Sequence, residues 1–237
     1  MGTRNLTVVI KDGQPRIAQY GQWDGYPSGQ GQTALNFLKS GKLDALVANL
    51  DKITFDGQAE IEAYLKEIGA GDGWMDMEQA DKFNARFPFL GRDHGAAVLD
   101  MIADYEGDEP IILRNQIDFA ADSLFCEYAY VIDLDKEMFE AYVGFQTSAH
   151  TDGRFASMGR KPGEDYYPVR LAAAWPFAIL PDFPVFESII EGVSNYYRQS
   201  DTSDRDLPAP GEPWDVDEYG PTPLVGPVIV HPVVITN

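Results

Sequence analysis

Residues 4–21 read RNLTVVIKDGQPRIAQYG, and this stretch predicts a β-hairpin. Leu6, Val8 and Ile10 alternate along the first strand, and such β-branched and aliphatic residues suit a pleated surface. Asp12-Gly13 is a strong signal for a tight hairpin turn, because both residues tolerate a positive φ. We therefore expect the chain to return as a second strand over residues 16–21.

A second stretch, residues 125–145, reads FCEYAYVIDLDKEMFEAYVGF and predicts another hairpin. Aromatic and β-branched residues fill both arms, as they do in half-buried strands. Asp135-Lys136 is the expected turn between a strand over 125–134 and a return strand over 138–145.

Helical periodicity separates and follows the two hairpins. The predicted helices cover 33–39, 43–50, 58–68, 77–87, 95–105 and 182–197, and short strands are predicted at 111–113 and 171–174. The expected fold class is therefore α+β or layered α/β, with two central hairpins (about 4–21 and 125–145) in sheets flanked by helices. Residues 1–200 are expected to form one globular domain. Residues 201–237 are expected to form an acidic, proline-rich tail with a terminal edge strand within 225–235.

The charge balance is strongly acidic. The chain has 237 residues, of which 18 are Lys or Arg and 38 are Asp or Glu, so its formal charge is −20. Such a surface repels nucleic acid, and no direct nucleic-acid binding is expected. It keeps a protein in solution, could attract basic proteins or cations, and is also compatible with a DNA-mimicking inhibitor.

Cysteine usage and hydropathy suggest a compartment. Cys126 is the one cysteine, so no intrachain disulfide can form, and its apolar surroundings predict a small buried residue. Residues 1–4 show no secretory pattern, and no apolar run approaches the roughly 20 residues that cross a bilayer. We therefore expect a cytoplasmic protein without membrane contact.

The loop over residues 19–31 is the first candidate for a functional site. It places aromatic residues among four glycines, which allow close backbone approach to a ligand, and it leads into a helix N-terminus. The candidate ligand-binding residues are Tyr20, Gln22, Trp23, Asp24, Tyr26, Ser28 and Gln30. The expected partner is a small, nucleotide-like molecule or a host protein, and the alternative is a tight turn packed by its own aromatic rings.

Motifs for cofactors and metals give no further site. The loop contains neither a Lys-Ser/Thr pair after Gly31 nor a G-x-G-x-x-G frame. His94, His150 and His231 lack the spacing of a metal site. No cofactor and no metal are expected.

The first resemblance concerns residues 1–7 (MGTRNLT) and 18–31 (AQYGQWDGYPSGQG). These stretches resemble a family of uncharacterised proteins met in phage and other microbial sequences. The likeness covers mainly the first forty residues and the second hairpin. It implies no activity, but it hints at a phage origin and, with it, action in a host cytoplasm.

A second, weaker resemblance concerns architecture. An early hairpin, a later hairpin near residue 130 and helices between them resemble N-terminal-nucleophile hydrolases, which fold as two sheets between helix layers. Gly2-Thr3 resembles the processing point of the proteasome-like members. The resemblance implies that Thr3, once freed, acts as the nucleophile while its own amine takes the hydroxyl proton, with Arg4 and Asp24 as candidate neighbours. Ordinary methionine removal would instead leave Gly2 as the first residue.

Three functional hypotheses follow. The first is a binding protein that uses the 19–31 loop. The second is an amide-bond hydrolase with Thr3 and Asp24 as catalytic residues, and the third is an acidic inhibitor that mimics DNA.

Overall fold

The computed structural model describes residues 2–70, 74–200 and 228–229. The predicted tail over 201–237 lies outside these ranges, apart from residues 228–229. Within them we find no helix whose length and hydropathy would let it cross a bilayer.

Eight strands and six α-helices make up the described elements. The strands are β1 (Asn5–Lys11), β2 (Gln14–Gly21), β3 (Ile53–Thr54), β4 (Ile111–Ile112), β5 (Tyr128–Asp133), β6 (Met138–Val143), β7 (Arg170–Pro176) and β8 (Val228–Ile229). The helices are α1 (Gln32–Lys39), α2 (Leu43–Asn49), α3 (Gln58–Glu67), α4 (Met77–Arg86), α5 (Val98–Ala103) and α6 (Phe183–Ser200). Both predicted hairpins and every predicted helix are confirmed, with ends shifted by a few residues.

The main sheet joins the two hairpins. Its strand order is β2-β1-β5-β6-β7-β8, and β3 pairs with β4 in a separate small sheet. β1 lies parallel to β5, from Asn5 beside Tyr128 to Ile10 beside Asp133. The predicted mixed α and β fold with two hairpins at its centre is therefore confirmed. β8 pairs with β7 at the sheet edge.

The two faces of the sheet are covered differently. Tyr130, Ile132 and Phe139 belong to a core shared with α1, α2, α5 and α6. Leu6, Val8 and Val131 point to the other face, where 3-10 turns at Ile117–Ala121 and Arg154–Met158 supply the covering side chains. This alternation follows from the two-residue period of strands that are buried on both sides.

This arrangement differs from the one that the hydrolase resemblance implies. That family has two sheets between helix layers, whereas here both hairpins are parts of one sheet. α1, α2, α5 and α6 pack on one of its faces. The physical reason is the parallel β1–β5 pairing, which joins the hairpins edge to edge.

Candidate functional site

The 19–31 loop connects β2 to α1 at the end of the sheet where β1 and β5 begin. Residues 27–31 form a short π-helical turn, with Pro27 and Gly31 buried, that runs directly into α1. The sequence predicted a loop over the whole stretch, but residues 19–21 belong to β2 and residues 27–31 form this turn, so the irregular part covers residues 22–26.

Core side chains fix the loop from below. The Asn5 amide donates hydrogen bonds to the carbonyl oxygens of Gly21 and Trp23, at 3.3 and 3.2 Å. The Tyr130 hydroxyl donates to the carbonyl of Gly25 at 2.9 Å. Burial raises the pKa of Tyr130, which keeps this donor protonated.

The neighbouring chain fixes the loop from its sides. The backbone N–H of Gln22 donates to the Arg92 carbonyl oxygen at 2.9 Å, and the backbone N–H of Gly25 donates to the Thr3 carbonyl oxygen at 2.9 Å. The Gln30 side chain accepts the backbone N–H of Ala96 at 2.6 Å. A loop with partners on three sides is held in one conformation, so its side chains have defined directions.

Two glycines allow this close packing. A Cβ at Gly25 would lie 2.8 Å from the Thr3 carbonyl oxygen, and a Cβ at Gly31 would lie 2.8 Å from the Tyr130 hydroxyl. Part of the glycine pattern is therefore explained by tight packing, which was the alternative to a ligand site.

Two aromatic side chains of the loop are exposed to solvent. Trp23 and Tyr26 are 46% and 47% exposed, even though the backbone beneath them is buried at Gly25. Asp24 and Ser28 are exposed as well. Rings of this size are normally covered, so two of them on one rigid loop need a reason.

The other predicted ligand-binding residues hold the loop together. The Tyr20 hydroxyl donates to Gln22 Oε1 at 2.6 Å, and both residues are partly buried. Gln30 is bound to Ala96, as described above. The structure thus separates an exposed group of four predicted residues from a supporting group of three.

Backbone strain also marks this end of the molecule. Among the described residues, four non-glycine residues have positive φ, and two of them, Asp12 and Glu137, belong to the hairpin turns. The other two are Asp24 (φ 56°) and Phe145 (φ 57°), at the opposite end of the sheet. Strained conformations of this kind cluster at functional sites.

The sequence patterns did not indicate two arginine–phenylalanine stacks at this end of the sheet. The Arg4 guanidinium carbon lies 4.8 Å from the centre of the Phe125 ring, and that of Arg198 lies 4.1 Å from the Phe145 ring. Glu127 joins these two stacks, because it accepts the Arg4 backbone N–H at 3.3 Å and the Arg198 Nη2 at 3.0 Å. These contacts join residues far apart in the chain, so no local pattern reveals them.

Arg4 and Phe125 precede β1 and β5, at the same end of the sheet as the exposed rings. The Trp23 ring lies against Gly2, where an added Cβ would collide with it. Phe125 is 45% exposed, and within the described part of the chain no carboxylate lies within 4 Å of the Arg4 guanidinium.

Thr3 and Asp24, the predicted catalytic residues, have different surroundings. Thr3 is 3% exposed and follows Gly2 in the chain, whereas Asp24 faces solvent. The hydrogen bond from Gly25 to the Thr3 carbonyl brings the two segments side by side. The hydrolase hypothesis stays a prediction, and intact-mass spectrometry that finds a chain beginning at Thr3 is the test.

Two other reactive side chains are fully or partly buried. Cys126 is fully buried, as predicted, and burial raises the pKa of its thiol. The Nε2 of His150 lies 2.9 Å from the carbonyl oxygen of Pro168, and burial lowers the pKa of this histidine. Among the described residues, no three His, Cys, Asp or Glu side chains form a group that could hold a metal ion.

Comparison with known proteins found no match to this chain among protein-family models, curated proteins or solved structures. The resemblances to a phage and microbial family and to N-terminal-nucleophile hydrolases stay predictions. Evidence for a function therefore comes from the geometry of the 19–31 loop alone.

Proposed function

We propose that this chain is a binding protein whose 19–31 loop docks a protein partner through the exposed rings of Trp23 and Tyr26. One observation carries the proposal: both rings are about half exposed on a loop whose backbone is hydrogen-bonded from several directions. A host-cell protein is the partner expected if the chain is phage-encoded.

The composition of the surface supports a protein partner. Trp, Tyr and Arg dominate the energetically important positions of protein interfaces, because each buries a large area with few rotatable bonds or with several donors. Trp23, Tyr26, Arg4 and Phe125 supply this set at one end of the sheet. A rigid loop also loses little conformational entropy on binding, which favours affinity.

The test compares the wild type with the Trp23→Ala/Tyr26→Ala variant. Each protein is immobilised, cell extract is passed over it, and the retained proteins are quantified by mass spectrometry. A partner that depends on both rings should bind the variant at least about 30-fold more weakly, since interface anchors contribute about 2 kcal/mol or more. Val185→Ala, at a side chain that is 53% exposed on α6, is the matched control.

Stability is measured in parallel. Half-exposed rings contribute about half of the 3 kcal/mol that full burial provides, so each substitution should lower the free energy of unfolding by less than about 1.5 kcal/mol. Retention of the same proteins by the variant and the wild type would overturn the proposal. Titration of the protein with a panel of nucleotides, followed by calorimetry, distinguishes a small ligand from a protein partner. Saturable nucleotide binding that is lost in Trp23→Ala would show that the loop binds a small ligand instead.

A further inference from the structure

A histidine contact joins the segment that follows β6 to the start of β7. Residues 147–153, which we call the latch segment, lead into the 3-10 turn Arg154–Met158. The Nε2 of His150 lies 2.9 Å from the carbonyl oxygen of Pro168, just before β7. A carbonyl oxygen only accepts hydrogen bonds, so Nε2 carries the hydrogen and Nδ1 is the bare nitrogen of the neutral ring.

Two further contacts hold the latch segment against β7. The Arg170 Nε donates to the Asp152 carboxylate at 2.7 Å, and the Leu171 backbone N–H donates to the Asp152 carbonyl oxygen at 3.4 Å. The Arg170 guanidinium carbon also lies 4.8 Å from the centre of the Tyr197 ring of α6. Arg170 is therefore held between the latch segment and α6, so its positive charge has a fixed position.

The closed latch segment leaves no good place for a second proton on His150. That proton would bind Nδ1, which is buried and has no hydrogen-bond partner within the part of the chain that the structure describes. A new buried N–H without an acceptor costs free energy. Burial is the main reason why the pKa of His150 is lowered; the charge of Arg170 acts in the same direction, whereas Asp152 and the Pro168 carbonyl oppose it.

We propose that the latch segment is acid-sensitive and opens from the start of β7 when His150 takes up a proton. Opening exposes Nδ1 to water, so the open state accepts the proton more readily than the closed state does. The closed state is thus most stable above the unfolded histidine pKa of about 6.5, and its stability falls as the pH drops through that value towards the lower pKa of the closed state. Opening also separates Arg170 from Asp152, at the end of the sheet that carries the 19–31 loop.

Hydrogen exchange of the full chain, followed by NMR, tests this proposal. The Leu171 amide reports closure, because its acceptor is the Asp152 carbonyl oxygen. We expect its protection factor, which corrects for the intrinsic effect of pH on exchange, to fall at least about threefold between about pH 7.5 and 5.5 in the wild type.

Two variants show whether His150 is the group responsible. His150→Gln keeps an N–H donor for the Pro168 carbonyl but cannot be protonated, so its Leu171 protection factor should be the same at both pH values. His94→Gln is the matched control, because that ring binds the carbonyl of Pro88 instead, and it should behave as the wild type does.

Titration of the ring itself separates a latch from a histidine with a purely structural role. The NMR midpoint of His150 should lie below that of the same histidine in the urea-unfolded chain. An equal or higher midpoint, a Leu171 protection factor that does not change with pH in the wild type, or the wild-type pH response in His150→Gln would each overturn the proposal. None of these measurements involves Trp23 or Tyr26, so their outcome does not depend on docking at the 19–31 loop.

Discussion

At the scale of single residues, Gly31 links the candidate loop to the core. Its backbone is helical (φ −60°, ψ −49°), so alanine could adopt the same conformation. An added Cβ would nevertheless lie 2.8 Å from the Tyr130 hydroxyl and 3.0 Å from Phe186. We expect Gly31→Ala to lower the free energy of unfolding by about 1–3 kcal/mol, as overpacking usually does, when measured by urea denaturation.

Gly192 provides the matched control for Gly31. It lies within α6, and a Cβ there would meet no atom within 4 Å. Gly192→Ala should raise stability by up to about 1 kcal/mol, because alanine has the better helix propensity. If both substitutions changed stability in the same direction, contact with Tyr130 would not be the reason for glycine at position 31.

Arg154 holds two buried carboxylates on the other face of the sheet. Its Nε and Nη2 atoms each lie 2.8 Å from a Glu140 oxygen, and Nη2 also binds Asp133. The side chains of Asp133 and Glu140 are 2% and 10% exposed, so Arg154→Ala would leave Glu140 without its cation and Asp133 with only the exposed Lys136, at 3.7 Å. We expect a loss of about 3–5 kcal/mol at neutral pH, measured by chemical denaturation.

The effect of the uncompensated charges on stability can be separated from the effect of the lost packing of Arg154. The triple variant Asp133→Asn/Glu140→Gln/Arg154→Met removes all three charges and should be much closer to wild-type stability than Arg154→Ala is. A triple variant as unstable as Arg154→Ala would show that lost packing, and not uncompensated charge, causes the destabilisation.

At the scale of elements, one carboxylate joins the tips of the two hairpins. Asp135 accepts the backbone N–H groups of Asp12 and Gly13, each at 2.8 Å. These N–H groups, first that of Gly13 and then that of Asp12, lower the pKa of Asp135. Asp135→Ala should lower Tm because both bonds are lost, whereas the exposed Asp108→Ala should leave Tm nearly unchanged.

The pH dependence of this contact has a defined sign. Because the folded state lowers the pKa of Asp135, its stabilising effect is complete above the unfolded value of about 3.9 and is lost as pH falls through the folded value. The Tm difference between wild type and Asp135→Ala should thus be constant near neutrality and shrink in strong acid. If the Tm difference between wild type and Asp135→Ala were the same at pH 3 as at neutrality within experimental error, the ionised contact would be ruled out.

Local patterns predicted the elements but not how they associate. Asp12-Gly13 and the alternation of Leu6 and Val8 depend on neighbours in the chain, so the first hairpin could be inferred. The parallel pairing of β1 with β5 joins residues more than a hundred positions apart, and turn chemistry does not specify it. For the same reason the 19–31 loop could be named as a candidate, while the stacking of Arg4 on Phe125 could not.

At the scale of the whole molecule, the hydrophobic core is divided. The sheet supports two large clusters, one on each face. α3 and α4 instead share a small cluster around Ile61, Phe83 and Phe87. This unit adjoins the rest through β3 and β4, which pair over two residues each. A small core with a short connection has a low free energy of local opening.

We therefore expect α3 and α4 to open without the main sheet, and hydrogen exchange followed by mass spectrometry can show it. Amides of α3 and α4 should exchange much faster than those of β5 and β6 in the wild type. Phe83→Ala removes the centre of the small cluster, where the ring is 8% exposed, and should accelerate exchange in α3 and α4 while the sheet stays protected. Phe139→Ala, at a fully buried position in the main core, should accelerate exchange in both regions. If Phe83→Ala accelerated exchange equally in β5 and β6, the chain would open as one cooperative unit. Independent opening would instead mean that α3 and α4 can rearrange without disturbing the rigid loop at the end of the sheet.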